Sequence, residues 1–188
     1  LGDVYKRQME NSTFKSESAN QKYIISLGAS TSQDYKNIVF KNNVFYCPEG
    51  KVNQFGLFVG SKAGMANCVL ENNTFVNLET ATTGMVYVDK LADISVKNNI
   101  FWTNTAGANA CIIFRPVTTS PSGTTCVNNI VYKTMTFNWQ MFYGGKAPFE
   151  GMEQLNILEA NPFDGGTFDL ANGIFVPNAE YAEYGATN

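Results

Sequence analysis

The sequence contains no histidine, and its four cysteines include no CxxC pair. Histidines and closely spaced cysteines are the usual zinc ligands, so this composition argues strongly against a zinc site. No apolar run approaches about 18 residues, the length that a membrane-spanning helix needs. The net charge is -3, whereas a dedicated nucleic-acid-binding protein carries a strongly basic face. We therefore expect no metal, no membrane span and no nucleic-acid partner.

The chain does contain enough apolar residues for one folded domain. Of its 188 residues, 44% are hydrophobic and only 15% are charged, which is typical of a soluble protein with a sizeable core. Every basic residue lies at or before Lys146, whereas seven of the sixteen acidic residues follow it. The body of the domain is thus mildly basic and its C-terminal segment is acidic.

An Asn-Asn pair recurs in nearly the same context, as FKNNVF, LENNTF, VKNNIF and VNNIV. The first asparagines of these pairs are 30, 26 and 30 residues apart, and a degenerate copy, ENSTF, lies 31 residues before the first pair. Repeats of this length are typical of solenoid proteins. Apolar residues alternate before each pair and change phase after it, which predicts two short strands joined by a bend. Asparagine suits the bend because it tolerates the left-handed αL conformation.

A third strand signal follows each of these bends, in the segments KYIISLG, GLFVGSK, MVYVDK, CIIFRP and MFYGGK. Stacked in parallel, such units form an all-β parallel β-helix of five to six turns, in which equivalent side chains make ladders about 4.8 Å apart. We expect the amides at the bend to form one such ladder, because polar groups cost about 1–3 kcal/mol each when they are buried unpaired. The predicted ladder residues are Asn11, Asn42, Asn72, Asn98 and Asn128. An antiparallel β-sandwich is the rival fold, but it has no reason to repeat one bend in register.

The segments KNIVFKNNVF, ANCVLENNTF and DISVKNNIFW resemble the asparagine-ladder turns of right-handed parallel β-helix proteins of the pectate-lyase-like superfamily. The resemblance covers residues 9–188. The ending EANPFDGGTFDLANGIFVPNAEYAEYGATN is similar to the closing segment of an uncharacterised domain of secreted gut-bacterial proteins. The resemblance implies an extracellular or cell-surface bacterial protein, with this chain as one part of a larger carbohydrate-active protein and its signal peptide outside the fragment.

The domain organisation follows from the extent of the repeat. Residues 1–8 have no structural role in this interpretation, because LGDVYKRQ resembles a non-native leader. Residues 9–150 are expected to form the β-helix repeats. Residues 151–188, rich in glycine, proline and apolar side chains, are expected to supply a final turn and an irregular cap in the same domain. The four cysteines are expected to be buried thiols that pack as small hydrophobes.

A column of cations ends the third strand of successive units. Its members are Lys62, Lys90, Arg115 and Lys146. If the units stack, these side chains form a row that suits a polyanion such as a uronic-acid glycan, although long side chains can also relieve the repulsion by extending into solvent. Asp89 precedes Lys90, and Tyr87, Trp139 and Tyr143 lie where aromatic rings can contact sugars; Tyr46 and Trp102 occupy similar strand ends.

The resemblance to lyases of this superfamily implies β-elimination, with Arg115 of the FRP sequence as the base and Lys90 or Lys146 stabilising charge. Calcium would be needed only for that activity, and it prefers several carboxylate ligands. Asp89 is the only acid in the predicted site strands, and a hydrolase would also need at least two carboxylates. We therefore expect a polysaccharide-binding module without a cofactor and monomeric within its larger chain. A polysaccharide lyase fragment and a purely structural spacer are the alternatives.

Overall fold

The computed structural model describes residues 7–17, 23–27, 35–48, 55–59, 65–78, 86–88, 91–103, 112–114, 123–133, 152–153 and 155–187. Sixteen strands in this part of the chain form three parallel sheets, which we call sheets 1, 2 and 3. Two further strands form an antiparallel hairpin. The helical residues described form a single 3-10 turn, so no helix among them is long and apolar enough to cross a membrane.

Each sheet is built from strands that recur once per repeat. Sheet 1 contains β1 (Arg7–Glu10), β5 (Ile38–Lys41), β8 (Met65–Glu71), β11 (Leu91–Lys97) and β14 (Thr125–Val127), and β4 (Tyr35–Lys36) also pairs with β8. Sheet 2 contains β2 (Thr13–Lys15), β6 (Val44–Tyr46), β9 (Thr74–Val76), β12 (Ile100–Thr103), β15 (Ile130–Lys133) and β16 (Asn156–Ile157). Sheet 3 contains β3 (Tyr23–Leu27), β7 (Phe55–Val59), β10 (Val86–Val88) and β13 (Ile112–Phe114).

The order of strands is the same in all three sheets, because each strand pairs with its equivalent in the repeat before and after it. The predicted all-β fold with parallel sheets is confirmed, and its strand arrangement fits a parallel β-helix. We number its coils 1 to 6 from the N-terminus; coil 1 contains β1 to β3 and coil 6 contains β16. The first strand begins at Arg7, two residues inside the segment that the sequence analysis set aside. The right-handed sense stays a prediction, which the preference of parallel crossovers for that hand favours.

The inside of the coil is filled by ladders of equivalent side chains. Phe14, Phe45, Phe75 and Phe101 occupy one position of sheet 2 in coils 1 to 4. Their ring centroids are 5.0, 4.9 and 4.9 Å apart, and adjacent rings are within 11° of parallel. These distances match the spacing of neighbouring strands. The alternating residues of sheet 1 are also buried: Ile38, Phe40, Cys68, Leu70, Ile94, Val96 and Cys126. Thr124, directly before β14, is buried too.

Coils 2 to 5 each use left-handed backbone at two shared corners. The first asparagine of each repeat has φ between 52° and 57°, which confirms the reason given for its recurrence. A second corner lies five residues earlier, at Asn37, Asn67, Asp93 and Gly123, with φ between 52° and 63°. The sequence analysis missed this second column, although Asn, Asp and Gly at one position of four repeats are a recognisable signal.

The C-terminal segment covers the outer face of sheet 2. The central strands of this sheet have two buried apolar faces; in β6, Val44 and Tyr46 point away from the coil while Phe45 points into it. The hairpin of β17 (Thr167–Asp169) and β18 (Ile174–Val176), followed by the 3-10 helix Ala179–Tyr181, lies on that face. The segment is irregular, as predicted, but it packs against the side of the stack, whereas the sequence predicted a cap over its open end.

Candidate functional site

Most of the predicted site residues lie outside the described residues. These are Lys62, Asp89, Lys90, Arg115, Trp139, Tyr143 and Lys146, together with Cys111. Tyr87 lies in β10, where its register partners are Phe58 of β7 and Ile113 of β13. Sheet 3 thus aligns the strands that precede three of the predicted cations.

The register of sheet 3 supplies one reference row from which the positions of those cations can be compared. Val59, Val88 and Phe114 form one row of the sheet. Counted from this row, Lys62 comes three residues later, Lys90 two and Arg115 one. The cations therefore follow the same end of three neighbouring strands, but at different numbers of residues from the shared row. The sequence alone does not reveal this difference, because it does not give the register of the strands.

The outer face of the central strands of sheet 2 is not available to a ligand. Trp102 and Tyr46 are buried beneath the C-terminal segment. The Trp102 indole Nε1 donates to Asn161 Oδ1 at 3.1 Å, and its ring centroid is 4.5 Å from that of Phe168. Tyr46 meets Phe175 edge to face at 5.6 Å. These two aromatic residues anchor the segment, and the suggestion that they contact sugars is wrong.

Sheet 1 carries charges of alternating sign on its outer face. Glu10, Lys41, Glu71 and Lys97 are register partners in coils 1 to 4. Lys97 Nζ lies 3.2 Å from Glu71 Oε1, which also accepts a hydrogen bond of 2.6 Å from Ser95 Oγ. Opposite charges on facing strands are favourable. Because the signs cancel along the row, this face does not suit a long polyanion.

A continuous amide ladder runs through the second residue of each Asn pair, one position later than the residues that the sequence analysis named. Asn73 Nδ2 donates to Asn99 Oδ1 at 3.1 Å, and Asn99 Nδ2 donates to Asn129 Oδ1 at 2.8 Å. The same amide nitrogens also donate to the backbone oxygens of Phe40 and Leu70. All these asparagines are buried, so the ladder supplies partners for polar groups that water does not reach.

The first asparagines lie at the surface corner, where one predicted ladder bond is present, since Asn42 Nδ2 donates to Asn11 Oδ1. The end of the chain also binds at this corner. Asn72 Nδ2 donates to the Glu183 backbone oxygen at 2.7 Å, and Asn42 Oδ1 accepts from the Thr187 N–H at 2.7 Å. The Gly185 N–H donates to the Asn98 backbone oxygen at 2.7 Å. Residues 183–187 thus cross coils 4, 3 and 2 and bind a corner of each.

Gly185 is required for this close approach. Its φ is +69°, and a β-carbon there would lie 2.5 Å from Thr74 Oγ1 and 2.7 Å from Ile100 Cδ1. We expect Gly185→Ala to lower the free energy of unfolding by about 1–3 kcal/mol through strain and overpacking. Urea unfolding measures the loss, and hydrogen exchange at Ala186 and Thr187 should quicken.

Gly165→Ala is the matched control for this substitution. Gly165 also has a positive φ, of +86°, but its β-carbon would meet only the Asn178 Cβ, at 3.9 Å. The control therefore introduces backbone strain without the collision. If both variants lose the same stability and keep the same exchange at Thr187, the close packing of Gly185 does not hold the chain end.

The described cysteines contribute to the core. Cys47, Cys68 and Cys126 are buried, as predicted. Burial raises the pKa of Cys126 to about 12, with a smaller contribution from the Glu153 charge, and burial also raises the pKa of Cys68. A thiol with a raised pKa stays protonated at neutral pH. Within the part of the chain that the structure describes, no three metal-ligating side chains come together either.

A polar cleft opens where the chain end meets the first coils. Its volume is about 400 Å³, and it is lined by Glu10, Asn11, Lys41, Asn42, Asn72 and Thr187. Sequence reasoning missed it because its walls come from three repeats and the last residues of the chain. Comparison with family models, curated proteins and solved structures finds no match to this chain.

Proposed function

We propose that this protein is an extracellular β-helix module that binds polysaccharide, preferably an anionic polymer of the uronic-acid type, as part of a larger carbohydrate-active protein. The observation that carries the proposal is the parallel register of sheet 3. Each of β7, β10 and β13 is followed within three residues by a lysine or arginine. Parallel strands are about 4.8 Å apart. An extended polymer that crosses the ends of these three strands would therefore pass one cation at each strand.

The other two faces support this choice. The C-terminal segment covers sheet 2, and the charges on the outer face of sheet 1 alternate in sign. Three of the four strands of sheet 3, namely β7, β10 and β13, lead into a cation without an intervening acid, apart from Asp89 beside Lys90. Lys146 and the aromatic residues Tyr87, Trp139 and Tyr143 extend the proposed surface.

Affinity electrophoresis in gels that contain polygalacturonate or alginate tests the proposal. We expect the protein to be retarded, and the Lys90→Ala plus Arg115→Ala variant to bind at least about tenfold more weakly, because hydrogen bonds to charged groups are the strong ones. Retardation should fall as salt is added, since exposed charges are screened.

Lys15→Ala plus Lys36→Ala is the matched control, because it removes the same charge from two exposed lysines on sheets 2 and 1. Equal loss in both double variants would mean that net charge alone drives retardation. No retardation by any acidic glycan would contradict the proposal and leave the spacer function. Ultraviolet absorbance of an unsaturated uronate product in the same samples, with and without calcium, would identify the lyase alternative with Arg115 as base.

A further inference from the structure

The described residues that line the cleft beside Thr187 all have polar side chains. Its volume of about 400 Å³ lies at the lower end of the range for small-ligand sites, about 300–1,000 Å³. Glu10 and Lys41 are register partners on β1 and β5, and Asn11 and Asn42 directly follow them at the corner. A carboxylate, an ammonium group and corner amides therefore face one small volume.

Several of these groups keep hydrogen-bonding capacity that no other described residue uses. The Asn72 amide nitrogen donates to the Glu183 backbone oxygen, and the Asn11 side-chain oxygen accepts from Asn42. Within the described residues, the Asn72 side-chain oxygen and the Asn11 amide nitrogen remain available to a ligand. Among the described residues, the only partner of the Glu10 carboxylate is Gln8 Nε2, at 3.3 Å, and Lys41 forms no ion pair. The cleft thus offers two donors and two acceptors.

The polar and charged groups of this lining favour an uncharged ligand with several hydroxyls over a peptide or a polyanion. An extended peptide needs pockets for its side chains, and none of the lining side chains is apolar. A polyanion would meet Glu10 directly beside Lys41. Hydroxyl groups both donate and accept, so a ligand with several hydroxyls and no charge can satisfy all four groups. We propose that this cleft is a second carbohydrate subsite, which binds a neutral sugar unit.

The subsite extends the proposed carbohydrate binding to a second surface, and the two surfaces can be tested apart. Proton–nitrogen correlation spectra of the labelled protein are recorded during titration with cellotetraose, xylotetraose and maltotetraose. We expect saturable shifts at the side-chain amides of Asn11, Asn42 and Asn72 and at the Thr187 N–H, with at least one of the three sugars. The affinity should be weak, because the cleft is shallow and lacks an aromatic platform.

Two variants with a matched control decide whether the cleft is the binding site. Lys41→Ala removes the ammonium group, and Asn11→Gly removes an amide while tolerating the φ of 52° at that corner. Each should weaken binding of the neutral sugar about tenfold. Lys36→Ala, an exposed lysine on the same sheet, should leave binding unchanged.

Four results would overturn the subsite: no shift with any neutral sugar, shifts confined to other residues, shifts that persist in Lys41→Ala and Asn11→Gly, or cleft shifts produced by oligogalacturonate alone. Failure of the proposed function has a different signature, namely no retardation in acidic gels. Neutral-sugar shifts that remain in the Lys90→Ala plus Arg115→Ala variant would show that the cleft acts independently.

Discussion

Replacing Asn99 by alanine is expected to lower the free energy of unfolding by about 3–5 kcal/mol. The Asn99 oxygen accepts from both the backbone and the side-chain nitrogen of Asn73, at 2.9 and 3.1 Å. Its nitrogen donates to the Leu70 oxygen at 3.0 Å and to Asn129. Truncation leaves several buried polar groups without partners, each at a cost of about 1–3 kcal/mol. The midpoint and slope of urea unfolding measure the loss.

The preceding residue provides the control for this variant. Asn98 has φ of 57° and belongs to the surface corner, and glycine adopts that conformation without strain. Asn98→Gly keeps the backbone oxygen that accepts from Gly185, so we expect a change of less than about 1 kcal/mol. Equal losses in the two variants would mean that the pair matters for its bend and that the buried ladder contributes little.

Truncating Phe175 to alanine is expected to lower the free energy of unfolding by about 3–5 kcal/mol, the usual range for a buried phenylalanine. Its side chain is 1% exposed. Its ring centroid lies 5.1 Å from that of Phe168, 5.6 Å from that of Tyr46 and 6.0 Å from that of Phe163. Because these contacts join the C-terminal segment to sheet 2, hydrogen exchange at Ala186 should also quicken.

The neighbour Ile174 tests whether burial is the cause. Its side chain is 42% exposed in the same strand, so Ile174→Ala should change stability by less than about 1 kcal/mol. A small effect of Phe175→Ala, with unchanged exchange at Ala186, would mean that the hairpin lies on sheet 2 without stabilising it.

The β-helix was predictable because one bend motif recurs along most of the chain, so a local sequence pattern indicates how distant segments stack. One Asn-marked bend says little, but five in similar context define the stacking direction and the buried positions. The ladder position was also within reach. Phe45 points into the coil, and two residues earlier on the same face is Asn43, which is buried.

The covering of sheet 2 and the cleft were harder to predict. Val44 and Tyr46 flank an inward Phe45, a pattern typical of a strand with two buried faces, although the sequence analysis placed Tyr46 where it could contact sugars. It did not indicate which distant segment supplies the cover, because that choice depends on packing between residues more than one hundred positions apart. Thr187 and Asn42 meet for the same reason, and no local pattern relates them.

The return of the chain end changes how this stack is expected to come apart. In a simple solenoid each coil interacts only with its neighbours, so the ends can fray one repeat at a time. Here residues 183–187 bind coils 2 to 4 after the chain has already passed through coil 6. Early and late repeats are thereby tethered to each other, and melting of the tethered coils should approach a single all-or-none transition.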